Sequence, residues 1–292
     1  MRVDDAGLRL SVESLTGKPV VDTAVVRGGD FAAAFRVDLD DGTRLFAKTH
    51  PDPPPGFFTT EAASLAWLRR ASAVRIPEVL VASDGTGGTP ALLIMEWIDQ
   101  THAPSTPAGE AAFGRSLAGL HDAGAPHFGR TDRRTTGSRA LPNDPCDDWA
   151  TFYASCRLLP LARLATDTKA LPATTVVRLE RLAHSLDAFD DGESPARLHG
   201  DLWAGNRIVD PAGRSWLIDP AAHGGHREFD LAMMGLFGGF GQTCFTAYQE
   251  VHPLLPGWQE RVQLHQIAPL VVHAIKFGRG YVDAATSAIM RY

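Results

Sequence analysis

The first third of the chain alternates apolar and charged side chains in the way that β-strands do. Residues 35–39 (Phe-Arg-Val-Asp-Leu) alternate strictly, and Asp41-Gly42 follows as a hairpin signal. Residues 45–48 continue the alternation on the return run. Residues 91–95 form a short apolar run that is typical of a buried strand. Residues 20–98 are therefore expected to be mostly strands.

Helical spacing occurs first within this region and then dominates the rest of the chain. A helix is predicted from Glu61 to Arg70, because Glu61, Leu65 and Leu68 share one face. From residue 107 onward, further helices are predicted around Phe113–His121 and over Trp149–Leu164, Val176–Phe189, Phe229–Phe237 and Leu264–Phe277. Residues 127–145, rich in Gly, Pro, Ser, Thr and Arg, predict a long loop.

The change from strands to helices indicates an α+β protein with two lobes. A strand-rich, nucleotide-binding lobe is expected over residues 1–98, and a helical, catalytic lobe over residues 99–292. The stretch from Glu96 to Ala103 is the predicted linker. A cleft between two such lobes is a natural place for a ligand.

Three oxygen-bearing side chains fall on one short predicted hairpin. Residues 207–209 and 215–218 are strand-like, and the Asp-Pro-Ala-Gly between them is a turn sequence. This hairpin brings Asn206, before its first strand, close to Asp219, after its second. Asp201 lies on the loop just before the hairpin.

These residue types match the division of labour in phosphoryl transfer. Mg²⁺ prefers hard oxygen ligands and few carboxylates, which Asn206 and Asp219 supply. Asp201 is then left to accept the proton of an acceptor hydroxyl. Protein kinases divide the work in the same way, so the motif predicts a small-molecule kinase that uses ATP and Mg²⁺. A cap or turn role explains any one of the three, but not all three with His199 and Gly200 in front.

Two other classes of protein stay open at this point. A metallohydrolase would use a two-metal site of imidazole and carboxylate ligands, drawn from His199, Asp201, Asp219, His223 and His226. A metallohydrolase would leave Asn206, and the Lys48–Glu61 arrangement in the first lobe, without a role. A pseudokinase would bind nucleotide only for regulation, and it is disfavoured because no catalytic position is missing.

The first lobe supplies candidates for nucleotide binding. Lys48 is expected to pair with Glu61 and to reach the α- and β-phosphates, as in the kinase template. Gly28 and Gly29 lie in a turn between strands, where backbone N–H groups can approach phosphate oxygens. Backbone groups at the end of the last strand are expected to meet the adenine edge, at Met95, Glu96 and Ile98.

Composition and charge exclude several function classes. The chain has 292 residues, 44% of them hydrophobic and 21% charged, which is ordinary for a globular protein with a sizeable core. A net charge of −6 without any basic run gives no support for nucleic-acid binding. Three cysteines without CxxC spacing favour a reducing compartment. There is no signal-peptide pattern and no membrane-length apolar run. We therefore expect a cytoplasmic protein, and a monomer.

Several motifs together resemble the fructosamine kinases, also called ketosamine 3-kinases, within the aminoglycoside-phosphotransferase and choline-kinase-like group. The family's HGDLW-x-GN is present at His199–Asn206, and its DPA, GHRE-x-DLAM and LFGGF segments at 219–221, 225–233 and 236–240. The Trp after HGDL and the GHRE segment separate this family from aminoglycoside and choline kinases. Further matches extend from Phe46-Ala47-Lys48 to Phe277-Gly278, so the resemblance covers nearly the whole chain.

The resemblance implies a bilobal protein-kinase-like fold. It also implies ATP-dependent phosphorylation of a ketoamine, carried by a small molecule or a protein, usually at the sugar 3-hydroxyl and in deglycation repair. By the same resemblance, Asp201 is the base, Asn206 and Asp219 hold Mg²⁺, and Lys48 binds phosphates. An aminoglycoside or other small-molecule hydroxyl kinase of the same fold is the nearest alternative.

Several residues are candidates for contact with the acceptor substrate, and each of them also has a possible structural role. Trp203 can stack on a sugar face, or it can be a core side chain that braces the catalytic loop. Arg227 and Glu228 can pair with each other or approach the substrate, and His226 stands beside them. Asp230 is expected to brace the catalytic loop through hydrogen bonds.

Overall fold

A five-stranded antiparallel sheet forms the first part of the molecule. The computed structural model describes residues 5–26, 32–85, 90–101, 103, 105–133, 135–136 and 140–292. The strands are β1 (Val20–Val26), β2 (Ala33–Leu39), β3 (Arg44–Thr49), β4 (Val79–Asp84) and β5 (Ala91–Glu96), in the order β1-β2-β3-β5-β4. All the neighbouring pairs are antiparallel. The prediction of a strand-rich first lobe is confirmed.

Alternation along β3 sends its side chains to two different helices. Leu45 and Ala47 pack in the cluster that contains helix α1 (Asp5–Thr16). Phe46 packs against the opposite cluster, which contains helix α2 (Phe57–Arg69). Because side chains two apart share a face, Lys48 lies on the α2 side with Phe46. The sheet therefore places Lys48 opposite α2.

Helix α2 begins one turn earlier than the sequence predicts. The predicted start was Glu61, whereas the helix begins at Phe57 after Gly56, whose φ is 80°. The Phe58 N–H donates to Asp84 Oδ1 at 2.7 Å, and the Thr59 hydroxyl donates to Asp84 Oδ2 at 2.5 Å. A carboxylate on β4 thus satisfies the first turn of the helix. Glu61 lies inside α2 and not at its start.

The second part of the chain is mainly helical, as expected. Its elements are α3 (Pro107–Asp122), β6 (Thr135–Thr136), β7 (Leu141–Pro142), α4 (Trp149–Tyr153), a π-helical turn (Ala154–Leu158), α5 (Leu159–Asp167), α6 (Ala173–Ala183), a 3₁₀ turn (Leu186–Phe189), β8 (Ala196–Leu198), a 3₁₀ turn (Ala204–Asn206), β9 (Arg207–Val209), β10 (Ser215–Leu217), β11 (His223–Gly225), α7 (Glu228–Phe237), α8 (Gln242–Val251), α9 (Trp258–Phe277) and α10 (Gly280–Met290). The position of the lobe boundary at residue 98 stays a prediction.

Some predicted elements differ from the observed ones. The single helix predicted over Val176–Phe189 ends at Ala183, where the His184 N–H bonds to the Arg181 carbonyl, and a separate turn follows. Residues 127–145 are not one open loop, since Gly129 exchanges two backbone hydrogen bonds with Gly224. Helices α1, α8 and α10 were not predicted.

Two apolar clusters hold the helical part together and join it to the sheet. One cluster packs α4, α5, α6, α9 and α10 around Trp149, Tyr153 and Leu264. The other connects Leu65 of α2 and Leu93 of β5 to α3 and to the loop and hairpin of residues 202–217. Within the described residues, no helix is both long and apolar enough to cross a membrane.

Candidate active site

The loop after β8 is fixed by a single buried carboxylate. Asp230, on α7, accepts hydrogen bonds from the backbone N–H groups of His199 (2.7 Å) and Gly200 (2.9 Å). His121 lies 3.3 Å from the same carboxylate. Asp230 is fully buried, and its pKa is lowered, since hydrogen bonds and the His121 charge outweigh burial. The predicted bracing role of Asp230 is confirmed.

His199 ties this loop to the segment that follows the hairpin. Its Nε2 donates to the Ile218 carbonyl at 2.9 Å, and its Nδ1 accepts the Asp201 N–H at 3.3 Å. This pair of bonds fits the neutral imidazole with its proton on Nε2. Burial lowers the pKa of His199, which keeps the ring neutral. His199 is therefore a structural link and not a proton donor to substrate.

The predicted hairpin brings Asp201 and Asn206 together. Strands β9 and β10 pair antiparallel, and the Ile218 N–H donates to the Asn206 carbonyl at 3.0 Å. The Asn206 side-chain amide donates to the Asp201 carbonyl at 2.8 Å and to Asp201 Oδ2 at 3.1 Å. The amide nitrogen is thus occupied, and Asn206 Oδ1 is the atom that can bind a cation.

Asp219 and Lys48 meet across the boundary between the sheet and the helical part. Asp219 has a φ of 53°, an unusual left-handed conformation for a residue with a side chain. The Lys48 ammonium donates to Asp219 Oδ1 and to Glu61 Oε1, the latter at 2.8 Å. The expected pairing of Lys48 with Glu61 is present. Lys48 also joins the sheet to the segment that follows the hairpin.

Burial shifts the pKa values of Asp201 and Glu61 towards neutrality. Burial raises the pKa of Asp201 to about 7, the Asn206 hydrogen bond opposes this rise, and the Asp219 and Asp230 charges add to it. Burial also raises the pKa of Glu61 to about 7, against the charge of Lys48. The pKa of Lys48 is raised, because Glu61 and Asp219 outweigh its burial. Lys48 therefore keeps its positive charge.

The donor set of Asn206 and Asp219 fits Mg²⁺. One amide oxygen and one carboxylate are hard ligands, and they leave most of the coordination sphere to phosphate oxygens and water. The Asp219 side chain retains about a third of its exposure, so it is open to solvent. Lys48 occupies Asp219 Oδ1, so Oδ2 is the oxygen that could bind a metal ion.

The predicted adenine contacts are partly constrained by the sheet. Met95 is buried, and its side chain belongs to the core. The Glu96 N–H donates to the Glu78 carbonyl at 2.9 Å, so this N–H is not available to a ligand. The Glu96 carbonyl and the backbone of Ile98 remain as the predicted adenine contacts. Gly28 and Gly29, the predicted phosphate turn, lie outside the described residues.

Trp203, on the loop after β8, is exposed and lies beside an aromatic row. Its side chain is 42% exposed, so the alternative of a core tryptophan is wrong. Its ring lies 6.5 Å from that of Phe237, which in turn lies 4.8 Å from His273. Phe277 and Tyr281 contact His273 at 5.5 and 5.0 Å. The row was not predicted, because α7, α9 and α10 contribute to it from distant parts of the chain.

The structure does not bring His226, Arg227 and Glu228 to the substrate side. Each is at most 3% exposed. The sequence predicts a pairing of Arg227 with Glu228 as one alternative, and this prediction is wrong. Arg227 pairs with Glu193 instead. The Arg261 guanidinium donates to both carboxylate oxygens of Glu228, at 2.9 and 2.5 Å. Side chains so enclosed and paired hold the fold together, which argues against the expected substrate contact.

The set of ligands expected for a metallohydrolase is not assembled. In the described part of the chain, the close group of possible metal ligands is His226, Glu228 and His265. Arg261 already occupies both oxygens of Glu228, and a cation there would repel the guanidinium. His223 donates instead to the Ala221 carbonyl at 2.9 Å, and burial lowers its pKa to about 3.

The chain is similar to fructosamine and ketoamine kinases over nearly its whole length. The family model described as fructosamine kinase matches residues 9–292. A probable ketoamine kinase from Lactiplantibacillus plantarum is 35% identical, over 91% of this chain and 92% of its own. The crystal structure of a candidate fructosamine-3-kinase from Thermobifida fusca is 40% identical, covers 99% of this chain and 100% of its own, and superposes with a TM-score of 0.88.

The wider fold is that of small-molecule kinases. Choline kinase LicA from Streptococcus pneumoniae superposes with a TM-score of 0.66 at 14% identity, over 98% of both chains. This likeness confirms the expected protein-kinase-like α+β fold.

Proposed function

The chain belongs to the fructosamine kinase family and is an ATP-dependent kinase of ketoamine sugar hydroxyls, and we propose that Asp201, Lys48, Asn206 and Asp219 carry out this reaction. We further propose the sugar O3 as the acceptor atom and deglycation as the biological role. The observation that carries the proposal is the linked set of contacts in which Asn206 bonds Asp201, and Lys48 bonds both Glu61 and Asp219.

Asp201 is proposed to orient the acceptor hydroxyl and to take its proton. Its pKa near 7 makes it a stronger base than an ordinary carboxylate, while it remains substantially ionised at neutral pH. The Asn206 amide holds one carboxylate oxygen, Oδ2, at 3.1 Å. The other oxygen can then face the hydroxyl. In-line transfer of the γ-phosphoryl group needs this kind of positioning more than it needs covalent catalysis.

Lys48 is proposed to bind the nucleotide phosphates, with Glu61 fixing its ammonium group. Asn206 and Asp219 are the proposed ligands for Mg²⁺, which when bound offsets negative charge on the phosphates. Gly28 and Gly29 are proposed to line the phosphates, and the Glu96 carbonyl and Ile98 backbone to meet adenine. A cytoplasmic location is also a proposal, supported by the three cysteines, all of which are free.

The aromatic row, exposed at Trp203 and Phe277, is proposed to form the acceptor side of the site. Trp203 lies between Asp201 and Asn206 in the sequence. Its side chain is exposed and lies beside the Phe237 ring. Aromatic faces pack well on the apolar faces of sugars and on carbon chains. Lys276, in the last turn of α9, lies over Phe277 at 4.8 Å and lowers the pKa of Asp201 slightly, against its burial. Lys276 thus adds a positive charge at the end of this row that acts on the proposed base.

The test is ADP release from Mg·ATP with ribuloselysine and fructoselysine, compared for wild type and Asp201→Asn. We expect turnover by wild type, and a loss on the order of 10²–10⁴-fold in Asp201→Asn, because the base is removed. The dissociation constant for ADP should stay within about twofold, since Asp201 is not a phosphate ligand in the kinase template. Asp147→Asn, at an exposed aspartate, is the matched control and should keep full turnover.

Two results would contradict this assignment. Equal loss of ADP binding and turnover in Asp201→Asn would mean that Asp201 supports nucleotide binding and is not the base. If the wild-type protein binds ADP but turns over neither ribuloselysine nor fructoselysine, these two ketoamines are excluded as acceptors.

A further inference from the structure

Arg130 is anchored to the part of the molecule that carries the catalytic loop. Its N–H donates to the Asn143 carbonyl at 2.8 Å. The preceding residue, Gly129, exchanges backbone hydrogen bonds of 2.7 and 3.1 Å with Gly224 of β11. Strand β11 pairs with β8, which leads directly into the loop of Asp201. The backbone of Arg130 thus moves with the catalytic loop.

The side chain of Arg130 reaches helix α2 on the nucleotide side. Its guanidinium lies over the Trp67 ring, 4.9 Å from the centroid, and its Nη1 donates to Ser64 Oγ at 3.4 Å. Arg130 is 4% exposed, and Ser64 and Trp67 are also buried. The Arg130 side chain therefore packs against Ser64 and Trp67 in the interior of the molecule and not at its surface.

The residues that Arg130 contacts lie next to Glu61 on α2. Ser64 follows Glu61 by three residues, and Trp67 follows Ser64 by three, and residues three apart are neighbours on a helix surface. Glu61 in turn bonds to Lys48 at 2.8 Å. Since a helix moves as a rigid element, a displacement of α2 away from Arg130 also displaces Glu61 from Lys48.

The charge arrangement around Trp67 is unfavourable for stability alone. Arg197 also lies over this ring, at 4.7 Å, and burial together with the charges of Arg70 and Arg130 lowers the pKa of Arg197. Asp132 offsets Arg130 through hydrogen bonds of 2.8 and 2.6 Å. The Asp132 side chain is about half-exposed, and ion pairs open to solvent contribute little net stability. The contacts of Arg130 with Ser64 and Trp67 therefore matter more for the position of α2 than for stability.

We propose that Arg130 is a positioning residue that holds α2, through Ser64 and Trp67, so that Glu61 stays bonded to Lys48 when nucleotide phosphates bind. The proposal rests on the proposed function, because it assumes that Lys48 is a phosphate ligand. Arg130 itself touches neither nucleotide nor acceptor in this scheme.

The test is a double-mutant cycle on nucleotide binding, which needs no acceptor. The dissociation constant of Mg·ADP is measured by titration calorimetry for wild type, Arg130→Met, Glu61→Gln and the double variant. We expect Arg130→Met to weaken binding about tenfold, a usual size for coupling between residues in one network. In the Glu61→Gln background the same change should have no further effect, because Arg130 then has no pair left to position.

The matched control is Arg133→Met in the same segment. Its guanidinium donates to the Asp132 carbonyl within its own loop, so its removal should leave ADP binding unchanged. Thermal unfolding shows whether each variant is folded. Should Arg130→Met fail to fold, Trp67→Phe keeps an aromatic ring at the contact and should give the same pattern with a smaller fold-change.

The outcomes separate this inference from the proposed function. Unchanged binding in Arg130→Met, or effects that multiply in the double variant, would overturn the positioning role while leaving the kinase assignment in place. Wild type that binds no Mg·ADP would overturn the proposed function and, with it, this inference.

Discussion

At the scale of single residues, Gly200 shows how closely the catalytic loop is packed. Its φ is +79°, and a Cβ at this position would lie 2.2 Å from the Ala221 carbonyl oxygen. The N–H of Gly200 also donates to Asp230. A side chain here would therefore push the loop away from both the following segment and its bracing carboxylate.

We predict that Gly200→Ala is much more damaging than Gly213→Ala. Gly213 has a similar φ of +76°, but no atom lies within 4 Å of its Cβ position. Gly213→Ala should thus cost about 1 kcal/mol for the left-handed backbone alone. Gly200→Ala adds a clash with backbone and should cost about 3 kcal/mol or more, with a fall in kcat. Urea unfolding and ADP release measure the two effects. Similar losses in both variants would show that the loop relaxes freely.

The local part of the site could be predicted from the sequence, whereas its tertiary part could not. Asp201, Asn206 and Asp219 lie on one hairpin whose turn sequence is readable, so their proximity followed from spacing. Lys48 and Glu61 needed a kinase template in addition. Arg130 contacts Ser64 across 66 residues, and no periodic pattern encodes such a contact.

At the scale of elements, helix α1 is an unpredicted support of the sheet. Leu8 and Val12 are buried in a cluster with Val37, Leu45 and Ile94 from the sheet. The amphipathic face of α1 is short, so its apolar positions did not stand out from the strand pattern that follows. The helix nevertheless covers the face of β3 opposite to Lys48.

We predict that the two leucines of α1 differ sharply in their contribution to stability. Leu8 is 1% exposed, whereas Leu10 is 68% exposed on the same helix. Leu8→Ala should lower the free energy of unfolding by about 2–5 kcal/mol, the usual cost of a buried cavity. Leu10→Ala should change it by less than about 0.5 kcal/mol, as for other surface sites. Chemical denaturation of both variants gives the comparison, and equal small effects would mean that α1 does not pack on the sheet in solution.

The start of α2 shows why element boundaries were harder to predict than elements. The helical period beginning at Glu61 was correct, but Asp84 stabilises an additional first turn from β4. A capping group that lies 26 residues away along the chain leaves no local signal at Phe57.

At the scale of the whole molecule, the GHRE segment acts as a connection between distant elements. His226 bonds to Asp191 at 3.1 Å, Arg227 pairs with Glu193, and Glu228 pairs with Arg261 of α9. These partners lie 33 to 35 residues away along the chain. The sequence indicated a dense polar segment, but its role depends on partners that only the fold brings near.

Buried histidines in this region should make the stability of the whole molecule depend on pH. His265 is fully buried, and burial lowers its pKa to about 4, with Glu228 opposing the shift and the charges of His226 and Arg261 adding to it. The unfolded chain binds this proton below about pH 6.5, whereas the folded protein does not until about pH 4. The folded state therefore loses stability as the pH falls through this window. The carboxylates of Asp191 and Glu228, each with a pKa of about 2, stabilise the folded protein above about pH 4 and lose this contribution only as the pH falls from there towards 2.

We predict that His265→Gln removes a defined part of this pH dependence. Between pH 7 and pH 5, one such histidine accounts for about 2 kcal/mol of lost stability, from the proton that only the unfolded state binds. The free energy of unfolding of wild type should consequently fall by about 2 kcal/mol more than that of His265→Gln over this range. His184→Gln, at an exposed histidine, is the control and should fall as much as wild type. An equal fall in wild type and His265→Gln would mean that His265 takes up its proton in the folded state, so that the cluster around Glu228 opens to solvent near pH 6.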